Sequence, residues 1–144
     1  MNTNEIGYIM KKQVLLLAMM LLPMVAGAET VEIDGIYYEL VSKIKEATVK
    51  QRPDGKYTGN VVIPASVAYN GSEYKVTSIG LAAFQSCDEL KSITIPNSVT
   101  TIEEYAFSWC TGLTSLSIPN GVITIGEDAF QDCHAWPPLA YLRV

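Results

Sequence analysis

One spacing organises the second half of this 144-residue chain: its pattern returns at every twenty-third position. Thr77-Ser78-Ile79-Gly80, Thr100-Thr101-Ile102-Glu103 and Ile123-Thr124-Ile125-Gly126 align on that spacing. The register then holds at Val76, Val99 and Val122, at Ile79, Ile102 and Ile125, and at Ala83, Ala106 and Ala129. It continues through Phe84, Phe107 and Phe130 and through Cys87, Cys110 and Cys133. Leu90 matches Leu113, Ile93 matches Leu116, and Ile95-Pro96-Asn97 matches Ile118-Pro119-Asn120. A unit this short cannot bury its own apolar edge, so the units must stack on one another.

Within a unit, Leu113-x-x-Leu116-x-Ile118 ends in strict alternation. That pattern predicts a short strand with Leu116 and Ile118 facing inward. Pro119 follows, and without an N–H it ends the strand. Val122, Ile125, Ala129, Phe130 and Cys133 then return the chain with spacing nearer a helical turn than a strand. The expected architecture is a repeat solenoid, with short parallel strands, irregular or short helical returns, and an N-terminal β-rich cap.

The run Ile-x-Ile-Pro-Asn-Ser/Gly-Val-x-x-Ile-Gly/Glu-x-x-Ala-Phe-x-x-Cys-x-x-Leu resembles the BspA-like leucine-rich repeat family of secreted and surface proteins. The resemblance covers roughly Val61 to Cys133. It implies a curved scaffold used for adhesion or protein binding, with no catalytic residue to carry over. Pro64, Pro96 and Pro119 follow the family pattern after the strand, whereas Glu103 replaces a usual glycine. Past Cys133 the pattern breaks into His134-Ala135-Trp136-Pro137-Pro138.

Residues 1–28 read as an export signal. Lys11 and Lys12 precede an apolar run from Val14 to Val25, and Ala26-Gly27-Ala28 offers small residues for cleavage after Ala28. That run is too short to span a bilayer, which takes about 20 residues, so no transmembrane segment is expected in the mature chain. Met10 is an alternative start to Met1. The expected location is therefore outside the cell, secreted or on the surface.

Residues 29–75 read as a β-rich cap with a partial repeat, in which Val61-Val62-Ile63-Pro64 matches the strand end of a unit. Asp34-Gly35 and Asn70-Gly71 are hairpin turn signals, and Pro53-Asp54-Gly55 marks another turn. Residues 76–144 carry the repeats and an atypical tail. In that tail Trp136, Leu139 and Tyr141 fall on strand positions of the previous unit. Either this is a degraded last strand acting as a cap, or the array continues in a longer protein. An uncapped C-terminal edge would favour self-association.

Charge narrows the partners. Fifteen acids oppose ten bases, and between Thr77 and Cys133 seven acids oppose only Lys91. Nucleic acid is therefore excluded as an expected partner. The single histidine and the absence of nucleotide or nucleophile motifs argue against an enzyme, and no cofactor or metal is expected. Glu103/Glu104 and Glu127/Asp128 recur at one corner and read as solvated. Cys87, Cys110 and Cys133 read as core residues, with a disulfide between neighbours as the alternative.

The candidate partner-binding residues lie on the outward strand face: Ser92 and Thr94 in one unit, Ser115 and Ser117 in the next. They form a flat, uncharged hydroxyl lattice suited to a protein or glycan ligand, host extracellular matrix among the candidates. The tyrosines at 37, 38, 57, 69 and 74 form a second candidate surface or pack the cap. The alternative to binding is a structural spacer, or a fragment of a longer repeat protein whose function lies elsewhere.

Overall fold

The computed structural model describes residues 28–133. Residues 1–27, with most of the expected export signal, and the tail from His134 lie outside the described residues. The chain opens with β1 (Ala28–Ile33) and β2 (Ile36–Val41), an antiparallel hairpin whose ladder runs from Ala28 opposite Val41 to Ile33 opposite Ile36. Asp34 and Gly35 turn it with φ of 51° and 79°, the left-handed pair a two-residue hairpin needs. Then β3 (Glu46–Lys50) pairs antiparallel with β2, and β4 (Gly59–Val62) leaves for a second sheet.

The Asn70-Gly71 signal does form a hairpin, between β5 (Ser66–Tyr69) and β6 (Ser72–Ile79). The sequence division between residues 75 and 76 falls inside β6. The remaining strands are β7 (Leu90–Thr94), β8 (Thr101–Ile102), β9 (Ser115–Leu116) and β10 (Thr124–Ile125). The larger sheet runs β1-β2-β3-β6-β8-β10 with β5 beside β6, and the smaller runs β4-β7-β9. From β3 onward in the larger sheet, and throughout the smaller one, the successive units pair parallel. This is a leucine-rich-repeat-like arrangement.

The stacked units confirm the repeat register residue by residue: Ser78 lies opposite Thr101 and Thr101 opposite Thr124. Across the smaller sheet Ser92 lies opposite Ser115 and Ile93 opposite Leu116. Between the sheets the repeated apolar residues interdigitate, and Val76, Ile79, Phe84, Val99, Ile102 and Phe107 are fully buried. The rings of Phe84 and Phe107 stack at 5.1 Å and those of Phe107 and Phe130 at 5.4 Å, both nearly parallel. Tyr57 extends the column, its ring 4.7 Å from Phe84.

The expected helical returns are not formed: no helix occurs among the described residues. Ala82, Ser86, Tyr105, Trp109, Asp128 and Asp132 adopt left-handed φ between 51° and 61°. Two such residues in every return break the run of right-handed conformations an α-helix requires. Their N–H groups are used differently. Ala83, Gln85 and Cys87 close tight turns onto Gly80, Ala82 and Phe84 of their own unit. The intervening Ala82, Phe84 and Ser86 donate to Glu104, Ala106 and Ser108 of the next unit at 2.8–3.0 Å. Tyr105, Phe107 and Trp109 repeat the pattern onto Glu127, Ala129 and Gln131. The apolar spacing of three and four marks consecutive turns, and bonds between units offset the left-handed strain.

Candidate functional site

The outward face of the smaller sheet follows from the alternation of its strands. Leu90, Ile93 and Ile95 point into the core, and so do Leu113 and Leu116. Ser92 and Thr94 are thereby turned outward, Ser92 partly covered and Thr94 exposed, and Ser115 and Ser117 are exposed beside them. The four predicted residues thus share one face. The sequence reading missed its first row: β4 pairs with β7 so that Asn60 lies opposite Ser92 and Val62 opposite Thr94. Ser92 donates its hydroxyl to Asn60 Oδ1 at 2.7 Å, and Val62 is 66% exposed. The strand end at residues 61–64 reads as part of a unit, but the repeat spacing does not extend the face to it, because Asn60 and Ser92 stand farther apart in the chain than that spacing allows.

Where these strands end, an open groove of about 370 Å³ runs between two units. Thr94, Ser117, Asn97, Asn120, Ile118 and Pro119 are among the residues that line it. Hydroxyls and primary amides both donate and accept, and none carries charge, so this groove suits neutral polar groups such as sugar hydroxyls or peptide units. On the other side of β4 a cleft of about 240 Å³ is lined by Asp34, Arg52, Tyr57 and Asn60. Arg52 there holds Asp54 through Nε and Nη2 at 3.2 and 3.3 Å. That ion pair lowers the Asp54 pKa below its usual value.

The tyrosines divide between the two readings. Tyr38, Tyr57 and Tyr74 are buried, so they pack the interior rather than offer a contact surface. Tyr57 donates its hydroxyl to the Lys50 carbonyl at 2.8 Å and accepts the Tyr37 N–H at 3.0 Å. Burial pushes its phenol up to about 12. Tyr37 and Tyr69 are half-covered, with hydroxyls on Glu32 and Glu29.

Cys87, Cys110 and Cys133 are all buried, and Cys87 and Cys110 are free thiols. Cys110 Sγ points at the Phe84 carbonyl oxygen at 3.0 Å, and burial raises its pKa to about 12. Such a thiol is a core side chain, not a nucleophile. Among the described residues no group of three His, Cys, Asp or Glu is placed to hold a metal ion.

At the acidic corner Glu104, Glu127 and Asp128 are exposed as expected, and Glu103 alone is drawn into a hydrogen bond. Glu103 stands where neighbouring units have Gly80 and Gly126, and its Oε2 accepts the Leu81 N–H at 2.7 Å. Gly126 must stay bare, because a Cβ there would land on the backbone of Glu103 and Glu104. A second hydroxyl row, also unread in the sequence, crosses the larger sheet: Thr48, Ser78, Thr101 and Thr124 pair in succession. Its signal was the Ser-Ile and Thr-Ile dipeptides recurring once per unit.

Known proteins supply the family. The model of the BspA type leucine rich repeat region matches residues 65–137, half of the chain. The chain belongs to the BspA-type leucine-rich repeat family. Among solved structures it is similar to a leucine-rich repeat protein of Bacteroides ovatus, with 34% identity over 73% of this chain and a TM-score of 0.63. It is also similar to a leucine rich cell surface protein of Faecalibacterium prausnitzii, with 29% identity over 73% of this chain and a TM-score of 0.62. A leucine-rich repeat protein of Bacteroides capillosus is 26% identical over 67% of this chain and 86% of its own length, with a TM-score of 0.50. The chain spans only 27% and 28% of the first two proteins. None of the curated proteins matches it significantly.

Proposed function

We propose that this BspA-type repeat chain is an exported, non-catalytic binding module that holds a protein or glycan ligand on the outward face of its smaller sheet. The carrying observation is the continuous uncharged surface formed by Asn60, Val62, Ser92, Thr94, Ser115 and Ser117, opening into the groove at Asn97 and Asn120. The stacked units form a solenoid in this reading, and the β1–β2 hairpin covers its first unit. A repeat array needs such a cover, because its terminal core would otherwise meet water.

Export is part of the proposal. Cleavage after Ala28 would remove only the first ladder pair of the β1–β2 hairpin, leaving Glu29 opposite Leu40 and every later pair intact. The surface location of the Faecalibacterium relative agrees with that route. The N-terminal sequence of the protein recovered from culture tests it, with Glu29 as the expected first residue.

The binding test is a screen of the full chain against immobilised extracellular-matrix proteins and a glycan array, repeated with Thr94→Arg/Ser117→Arg. Both positions are exposed, so the melting temperature should hold while two guanidinium groups block the face. Loss of a wild-type signal in that variant supports the proposed face. Binding that survives moves the site elsewhere, and no binding by folded protein favours the spacer reading.

A further inference from the structure

A second recess lies away from the hydroxyl face, at the corner where the larger sheet meets the returns. It is an open notch of about 390 Å³. It is lined by Leu81, Thr101, Glu103, Glu104, Thr124 and Gly126, of which Leu81, Glu104 and Thr124 are exposed. Three features of the repeat create it. Bare Gly126 lets its unit pack directly against the Glu103–Glu104 backbone. Glu103 is drawn across to the Leu81 N–H. Leu81, 53% exposed, occupies the repeat position that Glu104 fills one unit later, so an apolar side chain and an exposed carboxylate stand side by side.

We propose that this notch receives a lysine or arginine side chain of a partner protein. An aliphatic stem ending in a cation has both properties the notch asks for: methylenes to cover the exposed Leu81, and a charged head for the carboxylates. A neutral sugar would leave Glu104 desolvated without a counter-charge. The surrounding field agrees, since the Thr77–Cys133 segment carries seven acids against one base. The notch differs in chemistry and position from the uncharged strand face, so the two can engage different parts of one partner.

The test uses the full chain and three fluorescent tetrapeptides: tetralysine, its fully acetylated form and tetraglutamate. Anisotropy is read at low and moderate salt. Wild type should bind tetralysine saturably and neither of the others. Glu104→Gln should weaken binding about tenfold, the scale of one lost charge-assisted hydrogen bond. Leu81→Ser should weaken it about fivefold with no change in charge, through loss of apolar cover. Asp88→Asn/Glu89→Gln, which removes two exposed acids elsewhere, should change it less than about twofold if site contact rather than the overall field dominates. The proposal is overturned if wild type gives no saturation, if Leu81→Ser binds as wild type does, or if the Asp88/Glu89 variant loses as much as Glu104→Gln.

Discussion

The aromatic column offers the sharpest test of how the units hold together. Phe107 sits at its middle, fully buried, with rings parallel to it at 5.1 and 5.4 Å on either side. Phe107→Leu keeps most of the apolar volume but removes both ring pairs. At about 0.5–1.5 kcal/mol per pair the expected loss is about 1–3 kcal/mol. Phe107→Ala adds the cavity, for a total of about 3–5 kcal/mol. A domain of this size has a stability of about 5–15 kcal/mol, so the alanine variant loses roughly a fifth or more of it. Urea unfolding followed by far-UV circular dichroism measures both numbers. It also reads the slope, which should fall in the alanine variant if the units on either side of the gap begin to unfold separately. Leucine costing nothing, or alanine costing less than about 1 kcal/mol, would refute the column as a coupling element.

Other expectations follow from single positions. Ser108 is fully buried and its hydroxyl has no hydrogen-bond partner among the described residues, so Ser108→Ala should raise stability by about 1 kcal/mol in the same urea assay. A Cβ at Gly112 would land on the Asp88 carbonyl of the preceding unit. Gly112→Ala should therefore cost about 1–3 kcal/mol through overpacking, despite the roughly 0.4–1 kcal/mol that a stiffer unfolded chain normally returns. Burial raises the Cys110 and Tyr57 pKa values to about 12 each, and raises those of Cys87 and Tyr38 as well. The unfolded chain ionises these groups first as pH rises. Their contribution should thus stay whole below about pH 8.5 and drain away toward pH 12, which an alkaline melting series would record. Cys110 should resist alkylation at pH 8 until denaturant is added.

How much the sequence disclosed depended on whether a residue obeyed the repeat spacing. Phe84, Phe107 and Phe130 do, and their column could be read directly. So could the outward placement of Ser92, Thr94, Ser115 and Ser117, which needs only strand alternation between buried isoleucines and leucines. Asn60 and Val62 do not obey it. The first unit meets the second at longer spacings, Ala47 opposite Val76 in one sheet and Asn60 opposite Ser92 in the other, because the β5–β6 hairpin is inserted between them. Tyr57 is hidden for the same reason, and for its chemistry, since a tyrosine takes the first place in a column of phenylalanines. The returns misled because a period of three to four residues is common to helices and to consecutive tight turns. Only the left-handed backbone at Ala82, Tyr105 and Trp109 separates the two, and none of those residue types announces it.

The alternation of hydrogen bonds along the returns bears on what happens when such a stack is pulled. Every second amide of a return is tied to the next unit, as are the short strands, so a unit cannot loosen inside the stack while both neighbours hold it. Force applied along the chain would then be met first by a unit held on one side alone. Each step of yielding would release about 75 Å of slack, the reach of one unit drawn out at about 3.3 Å per residue. A stack built this way lengthens in instalments rather than failing at once.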